Sequence, residues 1–168
     1  MTRVLRPIFF LAAIMCAAPA QAQLGPLAGT YRPLVVLAAT DDTPALADIR
    51  ILARQARAAL ADRDVIVVTV AGDAVSLWDP AGERAPKVNL DAGRLRQAFG
   101  SGAPFEMVLI GKDKTVKSRT RTPTDLQSML ALIDTMPMRQ RELKARAQEA
   151  ERRRQINERM FSRDDKRR

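Results

Sequence analysis

Apolar positions along the chain fall into two kinds of run. Leu34 to Ala39 (LVVLAA), Val65 to Val70 and Phe105 to Ile110 are almost continuously apolar, the pattern of strands buried on both faces. Between the first two, Leu46, Ile49, Leu52, Ala56 and Leu60 recur at helical spacing, and Arg50, Arg54 and Arg57 fall on the solvated side. Thr43 is the candidate N-cap of that helix, and Pro44 suits its first position. Strand, helix, strand makes a βαβ unit, right-handed by the general rule. Further along, Val75 to Trp78 predicts a short extra strand, Asp79-Pro80-Ala81-Gly82 a turn, Leu90 to Phe99 a short helix, and Gly100-Ser101-Gly102 a flexible link.

The strongest pattern runs from Phe105 to Glu142. After the apolar strand, Gly111-Lys112-Asp113-Lys114 supplies turn residues for a hairpin into Val116-Lys117-Ser118-Arg119. Thr122-Pro123-Thr124-Asp125 then reads as a helix start, with Thr122 as N-cap and Asp125 as a capping-box acid, and Leu126, Met129, Leu130 and Ile133 form the buried stripe. LIGKDKTVK followed by IDTMPMRQRE resembles the signature of the domain of unknown function 4174 family of bacteria, whose usual form is close to LIGKDG-x-VK and IDxMPMR. The matching positions are Gly111, Lys112, Asp113, Asp134, Met136, Pro137, Met138 and Arg139; Lys114 stands where glycine is common. ADRDVIVV at Ala61 to Val68 is similar to the family's middle strand, so the resemblance spans Tyr31 to Glu142. It implies a thioredoxin-like α/β domain, a mixed sheet flanked by helices, related to the C-terminal domains of sushi-repeat and coiled-coil-containing extracellular matrix proteins of animals. It implies no established activity. In such folds a cis-proline often precedes the third sheet strand and faces the loop after the first; Pro104 occupies that place here, with cis and trans both open.

Met1 to Ala22 has the layout of a secretory leader. Arg3 and Arg6 form its basic start, Ile8 to Ala18 its apolar run, and Ala20-Gln21-Ala22 a cleavage site, so the mature chain is expected to begin at Gln23 in the periplasm or outside the cell. Removing 22 of 168 residues leaves 146, one domain's length, read as a thioredoxin-like body over residues 31–138 and a tail over residues 139–168. The sole cysteine, Cys16, leaves with the leader, and the chain has no histidine. That excludes thiol-disulfide exchange, Ser-His and Cys-His triads and nearly all zinc sites, so no cofactor and no metal are expected and the weight of the reading falls against an enzyme.

Charge changes the picture only at the C-terminal end. The whole chain is +9, and residues 139–168 hold twelve Lys or Arg against six acids, a net +6. Good helix formers and the pairs Glu142–Arg146 and Glu149–Arg153 predict a long polar helix to about Phe161. Leu143 and Ala147 begin an apolar stripe that Arg154 interrupts; Ile156, Met160 and Phe161 cluster near the end.

Three places invite chemistry. Asp41 and Asp42, with Thr43 and Pro104 nearby in a thioredoxin-like fold, could bind a cation or act as an acid-base pair; capping the helix and favouring its positive end is the simpler reading. Lys112, Lys117, Arg119 and Arg121 could form an anion site with the helix start at Thr122, or merely guard a hairpin edge. Arg152, Arg153 and Arg154 could contact anionic lipid, lipopolysaccharide, a polyanionic polymer or an acidic protein, or only keep the tail in solution. Nucleic acid is set aside because export separates the chain from it. A Ser-Lys hydrolase on Ser118 or Ser128 has no accompanying signature. The reading is therefore an exported, non-redox binding module with a basic tail as its contact surface; the alternative is an enzyme using the Asp41-Asp42 loop near Pro104.

Overall fold

The computed structural model describes residues 24–27, 29–82 and 86–165, with side chains through residue 160. The expected leader Met1 to Ala22, its Cys16 and the start at Gln23 lie outside the described residues, as does the Phe161 side chain. In chain order the elements are β1 (Arg32–Ala38), α1 (Pro44–Gln55), α2 (Arg57–Asp62), β2 (Val65–Ala71), β3 (Ala74–Trp78), α3 (Ala92–Phe99), β4 (Phe105–Ile110), β5 (Val116–Thr120), a 3-10 turn (Pro123–Asp125), α4 (Leu126–Thr135) and α5 (Pro137–Asp165).

The strands form one sheet in the order β3-β2-β1-β4-β5. β1 and β2 run parallel, and every other neighbouring pair is antiparallel, which makes the sheet mixed and consistent with a thioredoxin-like α/β fold. β1 lies at the centre and is buried at all seven positions, as its unbroken apolar run requires. Its side chains alternate between two cores. Leu34 and Val36 face a cluster with Leu46 and Ile49 of α1, Leu60 of α2 and Met129 and Ile133 of α4. Val35 and Leu37 face a second cluster with Leu95 and Phe99 of α3 and with Leu24 and Leu27, which lie ahead of the expected domain start at residue 31.

Several local devices differ from the expected ones. The periodic helix after β1 breaks at Ala56, whose φ of −86° and ψ of 12° separate α1 from α2. Thr43 occupies the N-cap position, but its hydroxyl turns back to donate to the Thr40 carbonyl at 2.9 Å, tightening the loop rather than capping the helix. Thr122 precedes the 3-10 turn without a side-chain cap, and Asp125 accepts a hydrogen bond from the Thr120 hydroxyl instead of closing a capping box. The cap that does form is Asp91, whose carboxylate accepts the Arg94 N–H at 2.7 Å at the start of α3. The bond before Pro104 is trans. Lys114 has a φ of +67°, the left-handed region, which explains why glycine is common at this turn position. Met136 is extended because Pro137 follows it, so α4 ends there and α5 begins at once, running past Phe161 to Asp165.

Candidate functional site

Polar side chains gather most densely where β1 and β2 begin, beneath the first turns of α5. Asp62 ends α2, and Asp64 sits in the left-handed region at φ +50°, just before β2. These two carboxylates, with Asp134 at the end of α4, face a set of cations. Arg139, only 2% exposed, donates to the Asp62 carbonyl at 2.6 Å, to the Asp62 carboxylate, and to Asp134 at 3.4 Å. Arg63 reaches Asp134 at 2.6 Å, and Arg146 reaches Asp62 at 2.8 Å. Beside them Glu142 accepts from Lys112 at 2.7 Å and from Arg32 at 3.1 Å, while Lys112 also donates to Asp64 at 2.8 Å.

The carboxyl groups respond to these partners. Burial pushes Glu142 up, but the hydrogen bonds and charges of Lys112 and Arg32 outweigh it and hold the group below its ordinary value. Asp134 is lowered by the hydrogen bond from Arg63, against partial burial, with Arg139 adding to the effect. Both are fixed as anions at neutral pH and are committed to cations of the same chain, so this cluster holds α5 on the body.

A profile for a domain of unknown function, DUF4174, matches residues 23–142. The chain belongs to the DUF4174 family. No curated protein and no solved structure matches it. The DUF4174 signature gains a physical meaning from the cluster: Lys112, Asp134 and Arg139 are members of it, Met136 and Pro137 set the bend between α4 and α5, and Met136 packs on the core. Met138 stays exposed. Gly111 leaves room for the Asp113–Lys117 ion pair, because a β-carbon there would come within 2.5 Å of the Asp113 carboxylate. The DUF4174 match also ends at Glu142, within the part of α5 that touches the body.

The opposite end of the sheet is different. There a cavity of about 550 Å³ lies between Ala39, Arg96 of α3, Pro104 and Glu106. Asp41 and Asp42 do not line it; Asp41 turns outward to Arg50 at 2.6 Å, which lowers its pKa, and Asp42 is exposed. Glu106, 1% exposed, is the one charge inside β4 and is hidden in sequence by the apolar run around it. A lone carboxylate in a central strand demands a buried partner, and that demand is the signal that could have singled it out. Its partners are Arg119 at 2.7 Å and the Ser101 N–H at 2.9 Å. Burial pushes Glu106 up, and these two bonds more than reverse it. Glu106 thus ties the loop before Pro104 to β5 and is not a free acid. Among the described residues no group of three or more Cys, His, Asp and Glu is arranged to hold a metal ion.

The hairpin cations do not converge on an anion site. Lys112 is spent on Glu142 and Asp64, Lys117 on Asp113 and Arg119 on Glu106 and the Phe99 carbonyl; Arg121 reaches Ser101 at 3.3 Å. The tail divides as well. Residues 139–146 carry +3 of its +6 and include the docked Arg139, Glu142 and Arg146, which leaves +3 beyond them. There Arg152, Arg153 and Arg154 are 73%, 76% and 74% exposed and pair only with Glu149 and Glu151 of their own helix. Among the described residues no helix is long and apolar enough to cross a membrane.

Proposed function

We infer that this DUF4174 protein is an exported, non-redox binding module that meets an anionic envelope surface through the distal half of α5. The leader pattern of residues 1–22 supports export, and a mature chain without cysteine or histidine supports the absence of thiol and triad chemistry. The observation that carries the reading is the exposure of Arg152, Arg153 and Arg154 on a helix whose carboxylates are too few to neutralise them, next to the exposed Ile156 and Met160. Each contact with an anionic surface is an exposed ion pair worth about 0–1 kcal/mol, so binding rests on several acting together and weakens with salt.

Binding of the mature chain to vesicles of anionic lipid and of neutral lipid, across a salt series, tests this. Preference for anionic vesicles, lost when Arg152, Arg153 and Arg154 are all changed to Gln, is the expected result. A remainder that resists salt but disappears in Met160→Ala would assign part of the affinity to apolar insertion. Equal binding to both vesicle types, or indifference to the triple change, would leave the distal half as a solubilising appendage.

A further inference from the structure

On the face that carries α1, α2 and α4, the sheet is only partly covered at its β3 side. A groove of about 600 Å³ opens there between the outer side of α1 and the strands, within the range of small-molecule sites, about 300–1,000 Å³. Two rungs of the sheet form its floor. Val36, Thr69 and Ser76 lie side by side on β1, β2 and β3, and Val67 lies beside Trp78 on the next rung. Arg50, Arg54 and Arg57 line the wall, and no acidic residue lines the groove at all.

The polar groups there are not all needed by the fold. Arg50 is engaged by Asp41, and Arg57 donates to the Pro80 carbonyl at 2.8 Å. The side chains of Arg54, Thr69 and Ser76 make no hydrogen bond or ion pair among the described residues. Thr69 is the single polar residue in β2 (VIVVTVA), at a position where another valine would continue the apolar strand. A hydroxyl row, an uncommitted guanidinium and an apolar floor ending in a tryptophan together describe a site with one charged end.

We propose that this groove binds a small organic acid with an apolar body, its carboxylate on Arg54 and the hydroxyls of Thr69 and Ser76, its body over Val67 and Trp78. The planar guanidinium fork matches a carboxylate in two parallel hydrogen bonds. Arg57 also keeps its charge, since its bond goes to a carbonyl, but Arg54 alone has its whole fork free to clasp a carboxylate. No residue of α5 lines the groove, so the site is independent of the membrane-facing reading of the tail.

Trp78 is the only tryptophan of the chain, so its emission reports on this groove alone. Titrating the mature protein with decanoate, below micelle formation, should give a saturable change in that emission. The apparent affinity for decanol should be weaker by about tenfold or more, as should that of Arg54→Gln for decanoate, since a charge-assisted bond is lost in each. Arg54→Gln should unfold close to the wild-type urea midpoint because the Arg54 guanidinium has no bond in the fold to lose. Changing Arg152, Arg153 and Arg154 to Gln should leave decanoate binding unaltered. The proposal is overturned by an emission that does not saturate with decanoate, by equal affinity for decanol, or by undiminished binding in Arg54→Gln; tighter binding of decyl phosphate would overturn the carboxylate assignment.

Discussion

Over its first turns α5 gives Arg139, Glu142 and Arg146 to charged groups on the body, whereas Arg152, Arg153 and Arg154, on the same helix, find only Glu149 and Glu151 beside them. Both halves are rich in arginine and glutamate and both are helical, so neither composition nor propensity separates them. What separates them is the body. Asp62, Asp64 and Asp134 are held where helix ends and a left-handed turn bring them under the first half, and among the described residues no acid of the body pairs with Arg152, Arg153 or Arg154. Charge becomes structure only where a rigid surface offers its complement, and the charge left over is available to another molecule.

The largest effect should follow from Arg139→Met. Arg139 is buried and bridges α2 to the junction of α4 and α5, so its loss removes the cation between Asp62 and Asp134 and leaves them only the more exposed Arg146 and Arg63. Breaking a buried pair by removing one partner costs about 3–5 kcal/mol, and the lower end applies because Asp62 and Asp134 are half-exposed and can rehydrate. Urea unfolding of the mature chain measures this; a cost within about 0.5 kcal/mol, the range of an ordinary surface change, would reduce the cluster to surface decoration.

Glu142→Gln should cost less, about 2 kcal/mol, because Arg32 and Lys112 keep hydrogen-bonding partners in the Arg63 carbonyl and Asp64. Its signature is in pH. The folded-state pKa of Glu142 lies below its ordinary 4.5, so its contribution is complete above that value and disappears as pH falls through the folded one. Wild-type stability should therefore drop on acidification from about pH 5 downward, and Glu142→Gln should drop less steeply over the same window. Parallel curves would mean that the pair contributes nothing to the linkage; Glu106 and Asp134, both also lowered, would then carry the acid sensitivity.

The strands were legible because burial on both faces leaves no polar alternation to misread: LVVLAA and FEMVLI became β1 and β4 within one or two residues. Helix registers were legible from the opposite pattern, apolar positions recurring every three or four residues against a polar side. Glu106 was not, because a single charge inside an apolar run looks like noise until Arg119 arrives from the neighbouring strand. Thr43 and Thr122 had the right residue types for caps, yet a hydroxyl can turn to its own loop as cheaply as to a helix end. A change in composition marks the boundary after Met138, but composition carries no sign that Arg139, Glu142 and Arg146 of the tail side pair with the body. In sequence the Arg54 wall is a solvated helix side, since no sequence pattern tells a helix face lying beside an uncovered sheet from one facing water.

The smallest effect should come from removing the distal half of α5. A mature chain ending at Ala147 keeps Arg139, Glu142 and Arg146, and with them every α5 ion pair to the body described above. The deleted residues have no buried apolar side chain among those described: Ile156 is 48% exposed and Met160 is 64% exposed. Without apolar burial a helix contributes little to the fold that carries it, and the pairs within the distal half stabilise only the local helix. Helical signal in the far ultraviolet should fall in proportion to the residues removed, while the urea midpoint stays at the wild-type value. Binding to anionic vesicles should fall with the helical signal, and decanoate should still shift the Trp78 emission. A lowered midpoint would mean that the distal half packs on the body or on a second copy of the chain, and the contrast between the two halves of α5 would fail.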